Sequence, residues 1–105
     1  MKILIIDDNK DITKMFSKYF TIKGHSCSVA NDGQSGLDLI DNKTFDVVIL
    51  DLAMPEFSGN DVIDALCKSG KIKNQNIVTL TASSINFLRL ASAISEYKSG
   101  ISTFS

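Results

Sequence analysis

With 105 residues and 44% hydrophobic content, the chain suits one domain, 1–105, and leaves little room for a second. Eleven Lys and Arg against twelve Asp and Glu give a net charge of −1 without a basic run, which excludes the basic face of a direct nucleic-acid binder. The opening apolar run, Ile3 to Ile6, stops at Asp7, too short for a secretory signal or the roughly 20 residues of a membrane span, so a cytoplasmic protein with no membrane partner is expected.

Lys2–Ile6 reads as a strand, and its unbroken apolar character suits burial on both faces. Asp8 or Asn9 can cap the helix that follows. There Ile12, Met15, Phe16 and Tyr19 form an amphipathic stripe, and the helix should end near Gly24. Ser26–Ala30 fits a shorter strand near a sheet edge. Asn31-Asp32-Gly33 is turn chemistry, after which Leu37 and Ile40 mark a second helix. Val47 to Leu50 is the most strand-like segment, flanked by Asp46 and Asp51. Ser58 or Asn60 can cap a third helix carrying Val62, Ile63 and Leu66, which Gly70 ends. Ile77 to Leu80 reads as a fourth strand, 86–98 as a fourth helix, and Ile101 to Phe104 as a fifth strand. Strand and helix patterns thus alternate as βαβαβαβαβ, which right-handed crossovers convert into a parallel sheet with helices on both faces.

Cys27 and Cys67 share no CxxC spacing, and His25 is the single histidine, so no zinc set of the usual kind is present. Both cysteines read as small buried or half-buried residues in a reducing compartment. The carboxylates are more informative. Asp7 and Asp8 follow the first strand, and Asp51 follows the third. Parallel α/β sheets bind ligands beyond the carboxyl ends of their strands, where the strand order reverses. In the order 2-1-3-4-5, which is known for doubly wound sheets and does not follow from this sequence, the first and third strands would be neighbours and the three carboxylates would converge in one shallow cleft. Clustered anions raise one another's pKa unless a cation neutralises them. An all-oxygen set suits a hard cation, and Mg²⁺ keeps positions open for water and phosphate. Asp8 alone would read as a helix cap; three carboxylates at two strand ends shift the reading to a metal site. Thr81, just after the fourth strand, puts a hydroxyl beside the same cleft.

Ile-Leu-Ile-Ile-Asp-Asp-Asn resembles the opening strand and acidic pair of response-regulator receiver domains. Val-Val-Ile-Leu-Asp-Leu-Ala-Met-Pro-Glu-Phe-Ser-Gly resembles their phosphoacceptor strand, Met-Pro loop and the Gly before the third helix. Asn-Asp-Gly-Gln-Ser-Gly is similar to the turn into their second helix, Leu-Thr-Ala-Ser to their fourth-strand Thr-Ala, and Lys-Ser-Gly-Ile-Ser-Thr-Phe to the approach to the fifth strand. The resemblance implies a flavodoxin-like doubly wound α/β fold, a five-stranded parallel sheet in order 2-1-3-4-5. It implies a two-component signalling domain, not an enzyme beyond Mg²⁺-dependent self-phosphorylation and self-dephosphorylation. Asp51 matches the phosphoacceptor, and Asp8, Asp51 and the Ala53 carbonyl match the direct Mg²⁺ ligands. Asp7 is expected to act through a metal-bound water. Thr81 and Phe104 match the switch residues. The implied partners are a sensor histidine kinase or phosphotransfer protein and a downstream effector whose identity is unknown.

The family also carries a Lys-Pro after the fifth strand and then a fifth helix. The 105 residues stop at Ser105 before either. Either a C-terminally truncated receiver with its last helix missing or a receiver that has lost its lysine is therefore expected, with Lys98 reading as the solvated end of the fourth helix. The face shared by the first and fifth helices should then be partly bare, so that the chain either self-associates, as a homodimer, or is less stable than one extended by a fifth helix. The alternative from another class is a receiver-like interaction module that is never phosphorylated. A phosphatase with an aspartyl nucleophile would need an acid two residues on, where Ala53 stands, and a flavin phosphate would be repelled by Asp7 and Asp8.

Overall fold

The computed structural model describes residues 1–52, 54, 58–71, 76–80 and 100–104. The apolar runs become five parallel strands: β1 (Lys2–Ile6), β2 (Ser26–Ala30), β3 (Val47–Asp51), β4 (Asn76–Leu80) and β5 (Gly100–Phe104). They form one sheet in the order β2-β1-β3-β4-β5, the order expected. Three helices are described: α1 (Lys10–Ile22), α2 (Gly33–Asn42) and α3 (Gly59–Ser69). The expected fourth helix, 86–98, and Lys98 with it, lie outside the described residues.

Side chains alternate between the faces of a strand, so a four-residue apolar run serves two cores. On β1, Ile3 and Ile5 pack with Phe16 and Phe20 of α1. Leu4 and Ile6 join Ile40 of α2 and Val62 and Leu66 of α3 on the opposite face. β3 divides the same way, with Val47 and Ile49 toward α1 and Val48 and Leu50 toward α2 and α3. On the α1 face Ile3, Ile5, Val47, Ile49 and Val78 are at most 2% exposed, while the side chains of β5 lie outside the described residues.

Two side-chain expectations change and one open alternative is resolved. Met15 lies on the exposed side of α1, while Thr13, Phe16 and Phe20 are buried. Thr13 tolerates burial because its hydroxyl donates to the Lys10 carbonyl within the helix, at 3.0 Å. Cys67 is exposed on α3, whereas Cys27 is half-buried and burial pushes its thiol pKa up. Ser58, not Asn60, caps α3: its side chain accepts from Asp61 N–H and the Asp61 carboxylate accepts from Ser58 N–H, a reciprocal capping box. Gly70 closes that helix at φ 78°, a left-handed conformation that side chains disfavour.

Candidate functional site

The carboxyl edges of β1 and β3 meet because the strands pair in register, Ile3 with Val47 through Ile6 with Leu50. One further step along both chains brings Asp7 level with Asp51. Carboxylate oxygens of Asp7, Asp8 and Asp51 all lie within 4.8 Å of one another. The sequence expectation that these three converge is therefore met in the geometry. Thr81 and Ala53 lie outside the described residues, as does the side chain of Phe104, whose backbone ends β5 opposite Leu80.

The three acids are not equivalent. Asp7 is 4% exposed, Asp51 is half-buried and Asp8 is exposed. Consecutive residues leaving a strand turn to different environments, so an Asp-Asp pair offers one inner and one outer carboxylate. Burial raises the Asp7 pKa from 3.8 to about 6, aided by the neighbouring charges of Asp51 and Asp8 and opposed by a hydrogen bond from the Asn9 N–H. That bond, from Asn9 N to Asp7 Oδ1, is 2.9 Å long.

Asn9 also settles the capping alternative. Its Oδ1 accepts from the N–H groups of Asp11 (3.0 Å) and Ile12 (3.2 Å), which makes Asn9 the N-cap of α1. Asp8 is left out of the cap, at the rim of the acidic cluster. The structural role that would account for Asp8 on its own is thus taken by its neighbour.

β3 is held against the start of α3 by a close approach at Gly59. A methyl added there would fall 2.4 Å from the Asp51 carbonyl oxygen and 2.7 Å from the Leu52 Cα. Only glycine lets the helix begin that near the strand end, so Gly59 fixes where the Asp51 backbone sits. One further side chain touches Asp7 and was not singled out in the sequence for that role. The Asn31 Nδ2 donates to the Asp7 carbonyl at 3.0 Å and to the Thr13 Oγ1 at 3.2 Å.

The donor set is all oxygen, clustered and in part buried, which suits a hard divalent cation and fits Mg²⁺. A parallel sheet in this order, with carboxylates at the switch point, has the flavodoxin-like frame of CheY-like receiver domains. Residues 3–100 match the response regulator receiver domain model, and the chain belongs to that family. This is the receiver domain of two-component response regulators, a signalling domain and not a classical enzyme.

Transcriptional regulatory protein CpxR of Escherichia coli (strain K12) is 37% identical over 65 residues, 62% of this chain and 28% of that protein. The aligned stretch thus spans under a third of that relative's length. A CheY-like receiver domain protein from Methanospirillum hungatei JF-1 superposes with TM-score 0.75 at 25% identity, covering 99% of this chain and 83% of that one. Response regulator TrrA of Thermotoga maritima, solved in complex with Mg(2+)-BeF, gives TM-score 0.71 at 28% identity, covering 99% and 86%. No helix among the described residues is long and apolar enough to cross a membrane.

Proposed function

We propose that Asp51 accepts a phosphoryl group from a histidine kinase or phosphotransfer partner, and that Asp7, Asp8 and Asp51 hold Mg²⁺ for that transfer. The carrying observation is the convergence of three carboxylates within 4.8 Å at the ends of two paired strands in a receiver-family chain. Asp8 and Asp51 supply direct ligand oxygens, with the Ala53 carbonyl as the third protein ligand. Asp7, the most buried of the three, would help hold the ion through water and not as a direct ligand. Mg²⁺ bound there neutralises the carboxylates and the charge that builds on the transferring group.

An Asp51 carboxylate oxygen attacks phosphorus in line, the phosphorus–nitrogen bond of the donor phosphohistidine breaks, and the imidazole leaves. Gly59 keeps the Asp51 backbone in place while this happens, and Thr81 donates a hydrogen bond to a phosphoryl oxygen. Thr81 and Phe104 then shift the fourth- and fifth-strand face toward a second conformation that a downstream effector reads.

Acetyl phosphate with Mg²⁺ tests the reading. Intact-mass measurement should show one labile phosphoryl adduct, lost when the metal is chelated. No adduct under any donor would favour an interaction module that works without phosphorylation.

A further inference from the structure

Asp7 is the deepest of the three acids, and three separate tethers fix it. Its N–H donates to the Ala30 carbonyl at 3.1 Å, extending the β1–β2 ladder beyond the strand. Its carboxylate accepts from Asn9 N at 2.9 Å. Its carbonyl accepts from the Asn31 side chain at 3.0 Å. In the first two the partner of Asp7 is a backbone group that any residue offers. The third depends on one side chain.

Asn31 lies in the turn between β2 and α2, 24 residues from Asp7 in sequence. Its amide nitrogen carries two hydrogens, and two acceptors meet it: the Asp7 carbonyl and the buried Thr13 hydroxyl. A carbonyl can only accept, so the orientation of the amide is set by chemistry. Thr13 in turn donates to the Lys10 carbonyl at 3.0 Å, in the first turn of α1. The chain of bonds therefore runs from α1 through Thr13 and Asn31 to the backbone of Asp7. It joins three segments at the carboxyl edge of the sheet: the end of β1, the turn after β2 and the start of α1.

We infer that Asn31, braced by Thr13, is a positioning residue for the acidic site, holding Asp7 where its carboxylate orders the water on the bound Mg²⁺. This rests on the metal-site reading above. Asn31 acts on the site through the backbone of Asp7. Partners one shell removed from a metal commonly change its affinity by about 10–100-fold when mutated, because they set the orientation of the groups nearer the ion. An aspartate at this position could not donate either bond, and a longer glutamine would overshoot the span between the two acceptors.

Calorimetric titration of Mg²⁺ into the wild type, Asn31→Ala and Thr13→Val, alongside thermal melts without metal, tests the inference. Asn31→Ala should raise the Mg²⁺ Kd about tenfold. Thr13→Val, which keeps the shape but removes the brace, should raise it by a smaller factor of roughly two to five. The double variant should show a Kd close to that of Asn31→Ala, since the brace has no purpose once the amide is gone. Asn31→Ser, too short to reach both acceptors, carries the same expectation should the alanine variant fail to fold. A lower melting temperature with an unchanged Mg²⁺ Kd in the Asn31 variants would reduce Asn31 to a purely structural residue and overturn the inference. A wild type that takes up no Mg²⁺ would overturn the metal-site reading and this inference with it.

Discussion

Replacing Asp7 by Asn separates what the acidic cluster costs the fold from what it gives the site. Burial, with help from Asp51 and Asp8, raises the Asp7 pKa from 3.8 to about 6. The folded state therefore holds the proton more tightly than the unfolded state. Below about pH 4 both states are protonated and the substitution changes little. Between about pH 4 and 6 the unfolded chain loses the proton first, so the stability of the wild type falls as pH rises. Above about pH 6 the penalty is complete, and a shift of about two units corresponds to about 3 kcal/mol. Asn keeps an oxygen to accept the Asn9 N–H, and the weaker bond of a neutral acceptor is already contained in the net shift. Asp7→Asn should then stabilise the metal-free protein at pH 7 by about 3 kcal/mol, roughly 15 °C in a domain of this size. Thermal melts by circular dichroism with a chelator, run from pH 4 to 8, measure the gap. It should open between pH 4 and 6 and stay open above. Saturating Mg²⁺ should close or reverse it, because a ligand of the native state stabilises whichever protein binds it better. Equal melting temperatures at pH 7 without metal, or a gap that ignores pH, would refute the reasoning.

Asp8→Ala should abolish most Mg²⁺ affinity measured by calorimetry, whereas Asp38→Ala, on α2, should leave it unchanged. Gly59→Ala would place a methyl against the Asp51 carbonyl and Leu52. It should cost about 1–3 kcal/mol in denaturant unfolding and weaken Mg²⁺ binding as well, since β3 and α3 must part. Asn9→Ala removes the α1 cap and should cost about 1 kcal/mol in the same assay.

The sheet was legible because β1 and β3 carry unbroken apolar runs ended by acids, and such runs suit little besides strands covered on both faces. Their register then carried Asp7 to Asp51, so the convergence of the cluster followed from topology. The division of labour within Asp7-Asp8-Asn9 did not follow. All three can cap a helix, and choosing among them needs the backbone path that lets Asn9 reach Asp11 and Ile12. Met15 and Phe20 show the same limit on α1. A stripe through Ile12, Met15, Phe16 and Tyr19 and one through Thr13, Phe16 and Phe20 differ by a small rotation of the helix, and the larger buried aromatic surface of the second decides it. Asn31 was hidden for another reason: in an Asn-Asp-Gly turn its residue type is already explained by local chemistry. Nothing in the sequence marks the long-range bond to Asp7.

The central claim is that Asp51 is the phosphoacceptor, and identifying the modified residue tests it most directly. After treatment with acetyl phosphate and Mg²⁺, borohydride reduces an aspartyl phosphate to homoserine, and peptide mass spectrometry reads its position. Homoserine at residue 51 in the wild type, and at no position in Asp51→Asn, is the expected result. Homoserine at Asp7 or Asp8, or reduction elsewhere that persists in Asp51→Asn, would contradict the account.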